Sequence, residues 1–354
     1  MNNKVTIITT PHSDARHPYL KRFLSYYEHS NSAPNIIVTD SSPSPISDDI
    51  ILEQLTAPHV TYEKFSHDTR FENKLLKVLG KVKTPYAAIC SEDDFITLKG
   101  ISKSIKYLEN NDDIVAVYGY LIAFHLNNNE ISIRSAYSMQ AVNDESISNR
   151  LGYYISKYPS AVFSAIYRTE VLKHIWNLTL KYTNDHEFGE LLPAFLTPIY
   201  GRIHSLQELY WVREYFIEST GQKEDLILNP RLYNIVEDGS YSYKYNNFRQ
   251  CMVNEICGNS NLDIKQAEDL VNTSFEHYFY KRFGCNYKQL RRKILLKKAL
   301  KKAGLFSFAK GLKSKIIQNP VIVSQEQNYE DDPLFPKNEW DEMKIFLENN
   351  MIQS

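Results

Sequence analysis

The sequence is poor in cysteine and has no long apolar run. Its four cysteines among 354 residues form no Cys-x-x-Cys pair and are widely scattered. This argues against a disulfide scaffold or a zinc site and favours a reduced, cytoplasmic setting. No apolar stretch approaches the roughly 20 residues that a membrane-spanning helix needs, and the opening Met-Asn-Asn-Lys is unlike a signal peptide. We therefore expect a cytoplasmic protein, either soluble or bound to a membrane surface.

Two glycine-rich phosphate-binding motifs are also missing. No Gly-x-Gly-x-x-Gly follows the first apolar run, and Gly-x-x-x-x-Gly-Lys-[Ser/Thr] occurs nowhere. Their absence argues against a nicotinamide-dependent dehydrogenase and a P-loop nucleotidase. The ten histidines show no His-Glu-x-x-His spacing, and the net charge of −1 gives no indication of a nucleic-acid partner.

The first 120 residues alternate between apolar runs and amphipathic stretches. Strands are predicted at 5–10, 35–39, 60–62, 86–90 and 114–118, and helices at 18–27, 71–80 and 101–108. A Pro/Ser-rich loop is expected after the second strand. This order predicts βαβ units and a mostly parallel mixed sheet flanked by helices. Ligands bind at the carboxyl ends of such strands, where polar residues stand at Thr10, at Asp40-Ser41-Ser42 and at Glu92-Asp93-Asp94.

From about Asp238 the pattern changes to longer helical stretches without a convincing strand. Within this part, segment 281–315 contains 13 Lys and Arg residues and no Asp or Glu. Three interpretations remain open: a solvated helix face, a basic amphipathic helix on an anionic membrane, or a nucleic-acid surface. No recognised motif supports the third.

The acidic run Glu92-Asp93-Asp94 is the strongest chemical signal. Adjacent carboxylates repel each other unless a cation lies between them. Hard oxygen ligands suit Mg²⁺ or Mn²⁺, which also bridge diphosphates. A solvated turn is the alternative, but the position after an apolar strand favours a functional site.

Residues 4–120 resemble the nucleotide-binding half of a family 2 glycosyltransferase of the GT-A fold. The resemblance lies in 5–10 with Arg16, in 36–42, and in 84–86 leading into 92–94. It implies that Thr10 and Arg16 border the nucleotide pocket. It also implies that Asp40, next to Ser41, accepts a hydrogen bond from the base.

The same resemblance assigns the acidic run. Asp93 is expected near the ribose or sugar, and Asp94 as the ligand of Mn²⁺ or Mg²⁺. Because Ser91 replaces the first Asp of the usual motif, the role of Glu92 as a further metal ligand is open. Lys74 is expected either to contact a phosphate or to lie on a solvated helix surface.

Inverting sugar transfer needs a carboxylate that takes the proton of the acceptor hydroxyl. Asp185, Glu187 and Glu190 are the candidates, and Glu190 is preferred because the family's catalytic acid stands about 11 residues before a helix-ending glycine, as Glu190 does before Gly201. Asp185 could instead cap the helix. Arg213 is expected to stabilise the leaving diphosphate; the alternative is a surface pair with its neighbour Glu214.

Together these features predict a metal-dependent, inverting glycosyltransferase with a nucleotide-diphosphate sugar donor, UDP by default. Its acceptor would be a glycan or a lipid-linked molecule in cell-surface polysaccharide synthesis. The predicted domains are 1–237, with halves 1–120 for the donor and 121–237 for the acceptor, and a helical region 238–354. The alternatives are a nucleotidyl- or sugar-phosphate transferase and an inactive nucleotide-binding scaffold.

Overall fold

The computed structural model describes residues 2–28, 33–127, 130–157, 160–215, 232–304, 329 and 332–352. Its strands are β1 Val5–Thr9, β2 Asn35–Asp40, β3 Val60–Lys64, β4 Tyr86–Ile89, β5 Asp94–Ile96, β6 Ile114–Asn127, β7 Glu130–Ser138, β8 Ile166–Arg168 and β9 Arg202–Glu214. Its α-helices are α1 His17–Glu28, α2 Asp49–Gln54, α3 Phe71–Leu79, α4 Leu98–Glu109, α5 Ile147–Lys157, α6 Thr169–Tyr182, α7 His186–Tyr200, α8 Leu232–Asp238, α9 Tyr241–Asn259, α10 Ile264–Phe283, α11 Tyr287–Lys302 and α12 Lys337–Asn349. Within these described ranges, no helix is long and apolar enough to cross a membrane.

The strands form one mixed sheet in the order β3-β2-β1-β4-β8-β6-β9-β5, with β7 paired to β6. Strand β1 pairs in parallel with β2 and β4, and β2 pairs in parallel with β3. Every residue of β1 is buried, as expected for a parallel strand that helices cover on both faces. The prediction of a mixed α/β sheet flanked by helices, with a helical C-terminal part, is confirmed.

The second half of the sheet differs from the sequence prediction. Strand β6 does not end at Tyr118 but continues to Asn127, and β7 pairs antiparallel with it. Helix α2, which the sequence analysis did not predict, follows the Pro/Ser-rich loop after β2. Its start is fixed by Asp48, whose side chain accepts hydrogen bonds from the backbone N–H groups of Ile50 (2.9 Å) and Ile51 (3.2 Å).

Helix α12 returns to the sheet and covers one face of its β5 edge. Phe95 of β5 lies opposite Val212 of β9, and both are fully buried. They belong to an apolar cluster that includes Trp340, Met343 and Leu347 of α12. The end of the described chain therefore completes the core beneath strand β5.

The C-terminal helices share the main core with the sheet domain. The ring of Phe188 in α7 lies 5.5 Å from that of Phe248 in α9 and 6.1 Å from that of Phe275 in α10. One continuous cluster of buried residues runs from Val5 to Ile294. The proposed boundary at residue 237 falls within helix α8 and stays a prediction.

Candidate active site

The floor of the site is formed by strands β5 and β9. In this antiparallel pair, Asp94 lies opposite Arg213 and Ile96 lies opposite Trp211. Paired residues, and residues two positions apart, project from the same face of a sheet. Asp94, Arg213 and Trp211 therefore project from the face opposite to the one that α12 covers.

A cavity of about 190 Å³ lies against this face. Asp94, Arg213 and Trp211 line it from the sheet, and Glu190 lines it from helix α7. Arg213 stacks on the Trp211 ring, with its guanidinium carbon 5.5 Å from the ring centroid. One cavity is thus lined by the predicted metal ligand Asp94, the predicted leaving-group contact Arg213 and the preferred general base Glu190. Arg213 is exposed, and its neighbour Glu214 pairs with Arg22 instead of forming the alternative surface pair; the leaving-group role of Arg213 stays a prediction.

Helix α7 positions Glu190 through both of its ends. The side chain of Asp185 caps the first turn by accepting the Phe188 N–H at 3.0 Å. The helix ends at Gly201, where a Cβ atom would clash with the Val115 side chain and lie 2.9 Å from the Asp113 carbonyl oxygen, so only glycine fits there. The predicted stop at Gly201 is confirmed, and the helix begins at His186.

Glu190 is the most accessible of the three candidate bases. Its side chain is 47% exposed, and one carboxylate oxygen lies 3.1 Å from Nε2 of His186, one helical turn earlier. The exposure leaves room for an acceptor hydroxyl. The histidine orients the carboxylate from the same helix face.

The other two acids are occupied elsewhere. Asp185 is the helix cap, and its second carboxylate oxygen lies 3.4 Å from Nζ of Lys244 in α9. Glu187 is buried and pairs with Arg282 of α10, which also contacts Tyr278. Neither Asp185 nor Glu187 lines the cavity. Of the three candidate acids, Glu190 is the one that lines the cavity.

Arg16 holds the first two carboxylates of the acidic run. It pairs with Glu92 through Nε, and its terminal nitrogen lies 2.8 Å from Asp93. Burial alone would lower the pKa of Arg16, but these two carboxylates raise it above its ordinary value. Glu92 is buried and does not line the cavity, so a role as metal ligand would require it to leave Arg16.

Asp94 is the member of the run that lines the cavity. Its residue is only 5% exposed. Burial raises the pKa of Asp94 well above its ordinary value, and the adjacent Asp93 raises it further, against the opposing effects of Arg213 and Arg16. A cation in the cavity would favour the ionised form of this carboxyl.

The residues fit a metal ion that is shared with a substrate rather than held in a protein cage. Within the described ranges, no group of three or more His, Cys, Asp or Glu side chains is arranged to hold a metal ion. Mg²⁺ is usually held by one or two carboxylates together with substrate phosphates. Asp94 would supply the one carboxylate that such a shared site needs.

Asp40, which was predicted to contact the base of the nucleotide, is fully buried at the end of β2. One carboxylate oxygen accepts the Ser42 N–H at 2.7 Å, and the other accepts Tyr62 Oη and Lys64 Nζ, each at 2.8 Å. Burial would raise the pKa of Asp40, but these hydrogen bonds lower it below its ordinary value. A base could reach Asp40 only if Tyr62 or Lys64 moved.

Lys74 and Ser41 lie at the carboxyl end of the same strand, β2. Lys74 is 2% exposed, and its Nζ lies 2.8 Å from Oγ of Ser41, which is itself buried. Burial lowers the pKa of Lys74 to about 8, although Glu92 and Asp40 oppose this. The interpretation of Lys74 as a solvated surface residue is therefore wrong.

Thr10, the predicted border of the nucleotide pocket, is half-buried. It lies beside Pro11, whose carbonyl accepts the Ser41 N–H at 3.0 Å.

The sequence analysis missed the buried ion pair between Arg22 of α1 and Glu214 of β9. The guanidinium carbon of Arg22 also lies 5.6 Å from the ring centroid of Phe95. Burial raises the pKa of Glu214 more than Arg22 lowers it. The partners are 192 positions apart, so no local pattern could have revealed this support beside Arg213.

Comparisons with known proteins give only distant similarities. No protein-family model and no curated protein sequence matches this chain. TarS 1-349 from S. aureus is similar at 12% identity over 78% of this chain and 71% of its own, with a TM-score of 0.46. Its structure in complex with UDP-GlcNAc gives 13% identity, 78% and 72% coverage, and a TM-score of 0.44.

A third similar structure is 4-diphosphocytidyl-2C-methyl-D-erythritol synthase from Anaerococcus prevotii. It aligns at 12% identity over 64% of this chain and 94% of its own, with a TM-score of 0.36. At these identities and TM-scores, the similarities assign neither a family nor an activity.

Proposed function

We propose that this chain transfers a sugar from a nucleotide-diphosphate donor to an acceptor hydroxyl, with inversion at the anomeric carbon of the sugar. One observation carries the proposal. Asp94 at the start of β5 and Glu190 on α7 line a single cavity together with Arg213. Transfer between a diphosphate leaving group and a hydroxyl needs a cation site, a charge-stabilising donor and a base.

Asp94 is the residue that would hold Mn²⁺ or Mg²⁺. The ion supplies positive charge to the diphosphate oxygens when it is bound. Because Arg16 already neutralises Glu92 and Asp93, Asp94 is the carboxylate of the run that is left to the cavity.

Arg213 stabilises the charge that develops on the leaving diphosphate. Its guanidinium is held against the Trp211 ring, so the N–H groups that would contact the diphosphate are oriented before the substrate arrives. The pair between Arg22 and Glu214 fixes the adjacent strand position. We infer that Arg22 supports Arg213 without touching the substrate.

Glu190 accepts the proton of the attacking acceptor hydroxyl. Its partly exposed carboxylate allows an acceptor to approach from outside the cavity, while its position on α7 is fixed by the Asp185 cap and by Gly201. The acceptor class that suits this arrangement is a glycan or a lipid-linked saccharide that brings a hydroxyl to the cavity entrance.

Calorimetry of nucleotide binding tests the proposal. UDP, GDP, CDP and CMP are each titrated with Mn²⁺ and with EDTA into the wild type, Asp94→Asn and Asp112→Asn. Asp112 is the matched control because its side chain is fully exposed. We expect one diphosphate to bind with Mn²⁺, to lose its affinity in EDTA and in Asp94→Asn, and to keep it in Asp112→Asn.

Three outcomes would contradict this assignment. If no diphosphate binds under either condition, the donor site is wrong and the α/β fold stands without it. If a nucleoside triphosphate binds and releases pyrophosphate with a sugar phosphate, the chain is a nucleotidyltransferase instead. Binding without turnover in the presence of a donor and a glycan mixture would favour the inactive scaffold.

A further inference from the structure

Helix α11 is docked in a defined orientation. Its first turn is closed by Asn286, whose side chain accepts the Gln289 N–H at 3.0 Å, while the Gln289 side chain accepts the Asn286 N–H at 3.1 Å. Leu290 and Ile294 are buried in the main core. One side of α11 is therefore committed to the protein interior, and the opposite side is turned to solvent.

The solvent side combines cations with apolar side chains. At 3.6 residues per turn, Lys288, Arg291, Arg292, Leu295 and Lys302 share one side of the helix, and all of them are exposed. Leu295 is 56% exposed, and its neighbour Leu296 is 53% exposed. Two adjacent leucines thus stand in solvent within a group of cations.

The charge of this region is of one sign only. Residues 281–304 contain ten Lys and Arg residues and no Asp or Glu. Acids one turn away, which commonly balance the cations of a solvated helix face, are therefore absent from α11 itself. A single exposed leucine needs no explanation, but an apolar pair inside an unbalanced basic face does.

We propose that this basic-apolar face of α11, formed by Lys288, Arg291, Arg292, Leu295, Leu296 and Lys302, binds an anionic membrane surface. Anionic lipid head groups attract the cations, and the boundary of the acyl chains accepts the two leucines. A nucleic-acid backbone would attract the cations but would leave the leucines in water. The combination therefore favours a membrane over a nucleic acid.

The position of α11 links this face to the proposed active site. Helix α10 precedes α11, and its Arg282 pairs with Glu187 on α7, the helix that carries Glu190. Docking of α11 would hold the cavity at a fixed distance from the lipid surface. That consequence, access to a lipid-linked acceptor, rests on the proposed function, whereas membrane binding itself does not.

Vesicle co-sedimentation of the full chain tests the proposal. The vesicles consist of phosphatidylcholine alone or of phosphatidylcholine mixed with phosphatidylglycerol. The variants are Arg291→Gln/Arg292→Gln and Leu295→Ser/Leu296→Ser. The control, Ile264→Ser/Ile345→Ser, removes two isoleucines that are 68% and 59% exposed and lie on other helices. Thermal unfolding verifies that each variant folds.

We expect binding to the anionic vesicles only, and weaker binding as salt is raised. The arginine variant should bind about 25-fold more weakly, since each of the two cations lost contributes roughly a factor of five near an anionic surface. The leucine variant should bind at least about tenfold more weakly because apolar burial is lost. The control should bind as the wild type does.

Three results would overturn the proposal: no vesicle binding, equal binding to both vesicle types, or an unchanged leucine variant. A parallel titration with an RNA and a duplex DNA oligonucleotide separates the competing class. Binding to oligonucleotides but not to vesicles, with the leucine variant unaffected, would identify a nucleic-acid surface instead. Nucleotide-diphosphate binding should be the same in all these variants, so failure here is distinguishable from failure of the proposed function.

Discussion

Helix α7 presents two glutamates, three positions apart, whose replacement should have opposite consequences. Glu187 is buried and paired with Arg282, whereas the Glu190 side chain is 47% exposed in the cavity. We expect Glu187→Gln to lower stability with little direct effect on chemistry. Glu190→Gln should abolish most turnover while leaving stability unchanged.

The magnitudes follow from burial. Removing one member of a buried ion pair costs about 3–5 kcal/mol. Because the Arg282 side chain is 33% exposed and can regain some solvent, about 2 kcal/mol is the expected loss for Glu187→Gln after that discount. For Glu190→Gln, an exposed substitution, the change in stability should stay within about 0.5 kcal/mol. Loss of a general base should lower kcat by about 10²–10⁴-fold.

Urea unfolding and initial rates, measured with the donor that the calorimetry identifies, decide the matter. The double variant Glu187→Gln/Arg282→Met should recover part of the lost stability, since it removes both charges of the pair. The assignment of roles would be refuted if Glu187→Gln abolished turnover at unchanged stability while Glu190→Gln remained active. Intact donor binding in Glu190→Gln is the control for an undamaged site.

Three further predictions concern Lys74, Arg213 and Trp340. Because the pKa of Lys74 is lowered to about 8, the folded state binds fewer protons than the unfolded chain above that pH. The wild type should therefore gain about 2 kcal/mol relative to Lys74→Met between about pH 7 and about pH 10; parallel pH curves in urea unfolding would contradict this. Arg213→Lys should lower kcat about 10–100-fold in initial-rate assays, because a lysine cannot reproduce the planar, stacked donor; unchanged kcat would exclude Arg213 from leaving-group stabilisation. Trp340→Ala should cost about 3–5 kcal/mol in guanidinium unfolding, and a loss below about 1 kcal/mol would contradict the packing of α12 on the sheet.

The parallel half of the fold was predictable because its information is local. Strands β1, β2 and β4 are short, continuous apolar runs that end in polar residues, as strands buried on both faces do. The carboxyl ends of such strands collect ligands, and this rule, together with the run of adjacent carboxylates and the family resemblance, drew attention to Asp94. The helix stop at Gly201 was expected from the family resemblance, in which a glycine ends the helix about 11 residues after the catalytic acid.

The partners of individual acids were not predictable because they come from distant parts of the chain. Arg16 and Glu92 are 76 positions apart, and Glu187 and Arg282 are 95 positions apart. Within the acidic stretch before Gly201, helical periodicity cannot say which acid faces a cavity. The packing of α9 and α10 against α7 decides it, and the sequence of α7 does not contain that information.

The dependence of β5 on helix α12 has a consequence for how the protein is made. Strand β5 is an edge strand, and its Phe95, next to Asp94, is buried under Trp340, Met343 and Leu347. Of the described elements, α12 is the last to leave the ribosome, so this apolar face of β5 stays uncovered until α12 has been made. Exposed apolar edges promote association between chains. Expression yield should therefore depend more on an intact α12 than on any residue of the cavity.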